Sequence, residues 1–217
     1  MVYDPYSIGS RFYDRIIEPF LNPLKRLTTK ILGEKFTQVP GAHVLEVACG
    51  TGTQSHLLAR EGIRVVALDK SYSMIKQTQK KEIIGGVGRV ASIRADAAHL
   101  PFSSAVFDAV VFQLALHEMK NKIREHSARE IKRVAKENAI FIMADFVHAQ
   151  GFTASKYILS IVELMAGKEH FCNGREFIRQ GGLLKFLDKF GLQTEATYPF
   201  FDGNIHLAVA RNKRGEI

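Results

Sequence analysis

A chain of 217 residues has the size of one domain, and such a domain buries roughly 70% of its extended-chain surface. No apolar stretch reaches the ~18 residues of a membrane span, the N-terminus lacks a signal-peptide pattern, and two cysteines in unlike contexts give no disulfide framework. The formal charge of +8 leaves a nucleic-acid or anionic-membrane partner open. We therefore expect a soluble, cytoplasmic protein.

The first 40 residues precede the first predicted strand and carry aromatic and apolar side chains at roughly helical spacing. Pro19 and Pro23 interrupt this spacing, which predicts two short helices. Such a cap can close over a ligand cleft, although helices packed on a sheet edge would give the same pattern.

Residues 44–54 are the most informative stretch, since an apolar strand leads through a glycine turn into an amphipathic helix. Gly50 and Gly52 permit positive φ and let a ligand lie against the backbone, while the helix start offers unpaired N–H groups. Asp69 closes the next apolar strand, where a carboxylate can accept both hydroxyls of a ribose. The pattern is typical of a nucleotide-type binding site.

Strand and helix patterns alternate from residue 43 onward. Helices predicted at about 53–61, 71–81 and 121–136 supply right-handed crossovers on both faces of a parallel sheet. The seven strands, several continuously apolar, are predicted at about 43–48, 64–69, 89–94, 107–113, 139–145, 192–200 and 204–210. Residues 201–204 suit a hairpin turn, so the last strand should be antiparallel.

The predicted fold class is α/β: a seven-stranded, mostly parallel Rossmann-like sheet with helices on both faces and the last strand antiparallel. An N-terminal helical cap precedes the sheet, and a helical insertion before the sixth strand should lie above the carboxyl ends of the strands. We expect a single domain over 1–217, divided into the cap 1–40, a cofactor-binding core 41–150, the insertion 151–190 and a C-terminal hairpin 191–211.

Residues 120–136 hold seven Lys or Arg and two Glu, with apolar residues at helical spacing. This predicts an amphipathic helix with a basic outer face. Few aromatic residues interleave and no RNA-binding motif accompanies it, so a solvated face is favoured over a nucleic-acid partner. Peripheral contact with an anionic membrane stays open, and the sequence does not set the oligomeric state.

Four ordered motifs resemble those of class I S-adenosylmethionine-dependent methyltransferases, in particular the ubiquinone/menaquinone-biosynthesis and type 11 groups. They occupy residues 45–52, 68–74, 95–102 and 107–119. The resemblance covers nearly the whole chain and implies an S-adenosylmethionine cofactor.

The resemblance implies a role for each motif. Gly50 and Gly52 would pass beneath the methionine part of the cofactor, with Glu46 near its amino group. Asp69 would hold the ribose hydroxyls. Met74 would pack on the adenine face, with Asp96 and Ala97 at the adenine edge. Gln113 would lie at the methyl-transfer mouth. The remaining implied cofactor contacts come from Tyr13, Ala48 and Lys70.

Several of these residues could instead have a purely structural role. Asp96 could cap a turn, Met74 could be ordinary helix core, and Glu46 could pair with a basic side chain. Asp69 could be structural, with Ser71 as the N-cap of the next helix. Ala48 stands where a first glycine often occurs, and it is small enough to leave cofactor binding intact.

The implied function is methyl transfer to a small-molecule or lipid-like acceptor, such as a quinone precursor, another metabolite or a lipid head group. A nicotinamide-dependent oxidoreductase would use the same sheet, but residues 50–55 lack the third glycine of its fingerprint. A non-catalytic cofactor- or RNA-binding module is supported only by the basic helix and the lack of an evident catalytic pair.

His117 is the candidate general base, because it follows the fourth strand on the ligand side. It could instead be a packing histidine, and an amine or thiol acceptor would need no base. Secondary candidates for the acceptor site are Tyr6, Tyr13, His170 and Arg175. No cluster of His, Cys or Asp has metal-ligand spacing, so no metal is expected.

Overall fold

The computed structural model describes residues 18–39, 41–81, 90–148 and 168–212. The helices of these parts are α1 Glu18–Phe36, α2 Thr53–Arg60, α3 Tyr72–Lys80, α4 Asn121–Val134, α5 Lys168–Arg179 and α6 Gly182–Lys189. The strands are β1 His43–Val47, β2 Arg64–Asp69, β3 Val90–Arg94, β4 Phe107–Gln113, β5 Ala135–Phe146, β6 Leu192–Phe200 and β7 Ile205–Asn212. None of these helices is long and apolar enough to cross a membrane.

The strands form one sheet in the order β3-β2-β1-β4-β5-β7-β6. The first five pair in parallel, while β7 runs antiparallel to both β5 and β6. The predicted α/β class and the antiparallel last strand are confirmed. Strand order reverses between β1 and β4, and open α/β sheets bind ligands at the carboxyl ends of the strands beside such a reversal.

The central strands supply the core. Val44, Val110 and Ile142 are fully buried on β1, β4 and β5. Helices cover both faces of these strands, so their sequences are continuously apolar rather than alternating. The edge strand β6 alternates between partly buried and exposed residues over much of its length.

The prediction that Pro23 interrupts the N-terminal helical pattern is wrong. α1 continues through Pro23. Pro19 lies in the first turn, where a missing N–H costs little, and Pro23 removes only one further hydrogen bond near the helix start. Burial of one face, including Leu24 and Leu32, stabilises the rest of the helix. Residues 1–17, which include Tyr6 and Tyr13, lie outside the described residues.

The predicted basic outer face of α4 needs correction. Arg124 is only 1% exposed, and its guanidinium donates to the carbonyl oxygens of Leu116 and Met119 at 2.9 and 2.7 Å. Lys132 donates to the carbonyl oxygen of Phe190. Several of these cations therefore hold neighbouring loops instead of facing solvent. α4 also ends at Val134, and β5 begins at Ala135, earlier than predicted.

Cys172 lies in the helix α5. Its side chain is exposed, whereas Cys49 is buried. α5 and α6 are the described part of the predicted insertion. Asn173 on α5 donates to the carbonyl oxygen of Glu118 at 2.8 Å, which brings this helix to the loop after β4.

Candidate functional site

A cavity of about 440 Å³ opens at the carboxyl ends of β1, β2 and β4. α1 forms one wall, and the loop that follows β4 forms another. Most residues of the predicted cofactor site line this cavity together: Glu46, Ala48, Gly50, Asp69, Lys70, Met74, Asp96, Ala97 and Gln113.

The two glycines of the turn have different surroundings. Gly50 has φ +55°, lines the cavity, and would place a Cβ in open space with no atom within 4 Å. Gly52 has φ +74°, and its Cβ would lie 2.4 Å from Cγ2 of Thr78 on α3. Gly50 therefore gives a ligand access to the backbone, while Gly52 lets the turn pack against α3. Gly52 is not among the residues that line the cavity.

Asp69 joins the glycine turn that follows β1 to the start of α3, at the edge of the cavity. One carboxylate oxygen accepts from the backbone N–H of Gly50 at 2.9 Å, and the other accepts from that of Ser71 at 2.8 Å. Ser71 caps α3 by accepting from the N–H of Met74 at 3.1 Å, as its sequence position predicts. A carboxylate oxygen can accept more than one hydrogen bond, so this geometry is compatible with hydroxyl donors from a ligand.

Asp96 both caps a turn and lines the cavity. It accepts from Lys70 Nζ at 2.7 Å and from the N–H of Ala98 at 3.0 Å. Burial raises the pKa of Asp96, but these hydrogen bonds outweigh burial and bring the pKa below its usual value. The carboxylate is therefore ionised at neutral pH and can accept a hydrogen bond from a ligand N–H.

Hydrogen bonds fix α1 against the sheet. Gln113 Nε2, at the end of β4, donates to Thr28 Oγ1 at 2.7 Å. Gln54 Nε2 on α2 donates to Thr29 Oγ1 at 2.9 Å. These bonds place the buried face of α1 over the cavity, where Leu21 contributes to the lining.

The same face of α1 brings two charged residues into the cavity. Lys25 Nζ donates to the carboxylate of Glu18, and both residues line the cavity together with Glu46. Glu46 accepts from Ser55 Oγ. Burial raises the Glu46 pKa to about 7, although the Ser55 hydrogen bond and the Lys25 ammonium oppose this shift.

Sequence reasoning missed Glu18 and Lys25. The signal was present, since residues 18, 21, 25, 28 and 32 share one face at helical spacing. The supposed break at Pro23 hid this continuous face.

His117 lies behind the cavity wall and is not among the lining residues. It is 3% exposed, and its Nδ1 is 2.6 Å from Oδ1 of the fully buried Asp145. A carboxylate at Nδ1 favours the tautomer that carries its proton there and makes Nε2 the basic atom. Nε2 is 3.9 Å from Oε1 of Glu118, which does line the cavity.

The rest of the cavity is mainly apolar. Its polar groups are Glu118, Lys120 and Asn173, and its apolar groups are Leu21, Leu24, Leu114, Ala115, Met119 and Ile123. Leu114 has φ +54°, a conformation that is strained for a residue with a branched side chain and often occurs at functional sites. Arg175 is exposed, lies over the ring of Phe171 and does not line the cavity. The side chain of His170 lies outside the described residues.

Comparison with known proteins identifies relatives of this arrangement. Residues 45–143 match the family described as "Methyltransferase domain". The demethylmenaquinone methyltransferase of Thermobifida fusca (strain YX) is 36% identical over 110 residues, 50% of this chain and 45% of the relative. That of Beutenbergia cavernae is 32% identical over 149 residues, 66% of this chain and 59% of the relative. The chain spans about half the length of these relatives.

The fold has a counterpart among solved structures. The PH0226 protein of Pyrococcus horikoshii OT3 superposes with a TM-score of 0.63 at 23% identity, over 93% of this chain and 98% of that chain. Over residues 45–143 the chain thus resembles S-adenosylmethionine-dependent methyltransferases in sequence, and it shares its fold with the PH0226 protein over most of its length.

The residues present fit S-adenosylmethionine, the cofactor of these methyltransferases. Gly50 leaves space beside the backbone, and Met74 offers a thioether surface to an aromatic ring. Glu46, Asp69 and Asp96 are three of the five carboxyl groups that line the cavity. Carboxylates can accept from hydroxyl and ammonium groups, whereas they would repel the pyrophosphate of a dinucleotide.

Proposed function

We propose that this chain transfers a methyl group from S-adenosylmethionine to a small or lipid-like acceptor of the quinone-precursor type. The observation that carries the proposal is a single cavity with two kinds of lining. Carboxyl groups suited to a nucleoside and an amino acid line part of it, and we take the mainly apolar part beside the loop after β4 as the acceptor end.

We assign each cofactor contact to a group on the cavity wall. Asp69 receives the ribose hydroxyls, Met74 packs on the adenine, and Asp96 with the backbone of Ala97 binds the adenine edge. Glu46 receives the amino group of the methionine part. When bound, the cofactor supplies an electrophilic methyl group on a positively charged sulfur.

Most of the rate acceleration comes from position, since in-line displacement requires the acceptor to lie at near-attack distance. The loop after β4 provides this position. Arg124 donates to the carbonyl oxygens of Leu116 and Met119, and Asp145 accepts from the backbone N–H of Leu116 at 2.9 Å. These bonds hold Leu114 and Glu118 against the acceptor end of the cavity.

A hydroxylated acceptor must lose a proton during transfer. Glu118 faces the cavity and takes that proton on its carboxylate, and His117 then accepts a hydrogen bond from the protonated Glu118 through Nε2. Asp145 orients His117 through its hydrogen bond with Nδ1. The distance of 3.9 Å between Nε2 and the Glu118 oxygen shortens when the acceptor is bound, as catalytic hydrogen bonds often do.

Two observations support the proposed acceptor class. The relatives from Thermobifida fusca and Beutenbergia cavernae are demethylmenaquinone methyltransferases. The acceptor end of this cavity is largely apolar, with Glu118, Lys120 and Asn173 as its polar groups. An aromatic acceptor with a hydroxyl group would fit both the apolar lining and these polar groups. We further propose that the protein is cytoplasmic and meets lipid-like acceptors of this class at a membrane surface.

A methyl-transfer screen tests the proposal. The protein is incubated with cell extract and cofactor labelled on the methyl group, and the products are separated into lipid, small-molecule, RNA and protein fractions. We expect label in the lipid or small-molecule fraction, and little label with the control variant Asp69→Ala. Label confined to RNA or protein, or none in any fraction, would contradict the proposal.

A further inference from the structure

Lys25 is a lysine in an unusual place. It is 8% exposed on the inner face of α1 and lines the cavity. Lysine side chains are seldom buried to this degree without a partner, because loss of hydration is costly. Its partner is Glu18, two helical turns away on the same face.

The pair does not exhaust the hydrogen-bonding capacity of the lysine. An ammonium group has three donors, and the Glu18 carboxylate receives one of them. The Glu18 carboxylate is the ion-pair partner that compensates for the lost hydration of the buried ammonium group. The cavity therefore contains a fixed positive charge that faces ligand space.

Glu46 lies within electrostatic reach of this pair. The Lys25 ammonium lowers the Glu46 pKa, and the Glu18 carboxylate raises it. One end of the cavity thus combines an ammonium donor with a carboxyl acceptor. This combination is complementary to the zwitterion of an α-amino acid, which carries a carboxylate and an ammonium group on the same carbon.

We propose that Lys25 binds the carboxylate of the methionine part of the cofactor, while Glu46 binds its ammonium group and Glu18 positions Lys25. The inference rests on the proposed function. Lys25 and Glu18 lie outside residues 45–143 that match the family, so this recognition belongs to the N-terminal helix of the chain.

The position of α1 supports this assignment. The bond from Gln113 to Thr28 fixes the helix one turn beyond Lys25, at the end of β4. Thr28 is fully buried and shares the inner face of α1 with Lys25. The lysine is therefore held in place before a ligand binds. Its side chain then loses less conformational entropy on binding.

An anionic group on the acceptor would present the same chemistry to Lys25. Calorimetry without acceptor separates the two sources. S-adenosylhomocysteine carries the zwitterion, its decarboxylated analogue lacks only the carboxylate, and 5′-methylthioadenosine lacks the whole amino-acid part. The variant is Lys25→Met, and the matched control is Lys30→Met, an exposed lysine on the same helix.

We expect Lys25→Met to weaken S-adenosylhomocysteine binding by roughly 10–100-fold, the usual effect of losing hydrogen bonds between charged groups. Binding of methylthioadenosine should stay unchanged, which also shows that the variant is folded. The decarboxylated analogue should bind wild type more weakly than S-adenosylhomocysteine and should lose nothing further in Lys25→Met. Lys30→Met should bind all three ligands as wild type does.

Equal affinity of wild type and Lys25→Met for S-adenosylhomocysteine would overturn the inference. Reduced methyl transfer with unchanged S-adenosylhomocysteine binding would assign Lys25 to the acceptor and overturn it as well. If Lys25→Met fails to fold, wild type alone still tests the proposal. Equal affinities of wild type for S-adenosylhomocysteine and its decarboxylated analogue would contradict it. If wild type binds none of the adenosyl ligands, the proposed function itself fails.

Discussion

Gly50 and Gly52 are neighbours with separate tasks, and paired alanine substitutions should separate them. Both positions have positive φ, so each alanine costs roughly 1–2 kcal/mol of folding free energy. Gly52→Ala adds a clash with Thr78 and should lower the urea midpoint further. Gly50→Ala should fold better than Gly52→Ala but lose more cofactor affinity, because its methyl group enters the cavity. Equal effects on both measurements would contradict the assignment.

The buried carboxyl of Glu46 should make stability depend on pH. Its pKa is about 7 in the folded protein, against 4.5 for the exposed group. Between these values the folded state keeps a proton that the unfolded state has released, so stability falls as pH rises from about 5 to above 7. Glu46→Gln removes this loss.

We therefore expect the stability of Glu46→Gln relative to wild type to increase by roughly 2–3 kcal/mol between pH 5 and pH 8, since each pKa unit corresponds to 1.36 kcal/mol. Urea unfolding without ligand at both pH values measures the difference. Glu137→Gln, at an exposed position, is the control and should show no such dependence. A Glu46→Gln effect that is the same at both pH values would disprove the shift.

His117 and Glu118 should act as one unit. If Glu118 takes a proton and His117 stabilises it, His117→Ala and Glu118→Gln should each reduce turnover by roughly 10²–10⁴, and the double variant should lose little more. S-adenosylhomocysteine affinity should stay near wild type and report an intact fold. His126→Ala, an exposed histidine on α4, is the control. Normal turnover in both single variants would leave His117 as a packing residue.

At the scale of elements, α4 combines a structural arginine with a surface one. Arg124 donates to the carbonyl oxygens of Leu116 and Met119 and to Gln180 Oε1, and its guanidinium lies 4.6 Å from the centroid of the Phe177 ring. It thereby joins the loop after β4 to the end of α5. Arg129 has a 65% exposed side chain.

Arg124→Met should lower the free energy of unfolding by roughly 2–4 kcal/mol, because buried carbonyl oxygens lose their donors. Arg129→Met should change it by less than ~0.5 kcal/mol. Thermal unfolding of the two variants measures the contrast directly. A similar small effect for both would show that Arg124 does not hold the loop.

For the whole molecule, the sequence predicts the sheet well because its central strands are apolar and its turns carry glycine. β1, β2 and β4 were placed within a residue of their observed bounds. The start of β5 was missed, since Lys136, Glu137 and Asn138 are polar and exposed at its beginning. Tertiary pairing with Phe107 extends the strand where local composition gives no signal.

The site was predictable where a motif places a residue at a strand end. Asp69 and Asp96 meet at one cavity because parallel strands end at one edge of the sheet, and Met74 reaches it from the first turn of the helix that follows Asp69. The contribution of α1 was not predictable in this way, since it depends on how a distant helix packs. Likewise, the burial of His117 against Asp145 depends on the packing of β4 against β5.

The central claim is that this cavity binds S-adenosylmethionine, and calorimetry on the wild-type protein tests it most directly. We expect S-adenosylmethionine and S-adenosylhomocysteine to bind with micromolar or tighter affinity, and NADH and NADPH to give no binding heat. Carboxyl groups outnumber ammonium groups in the cavity lining, five to three, and the turn lacks a third glycine; both features disfavour a pyrophosphate. Tight binding of a nicotinamide dinucleotide, with no heat from either sulfur ligand, would contradict the account.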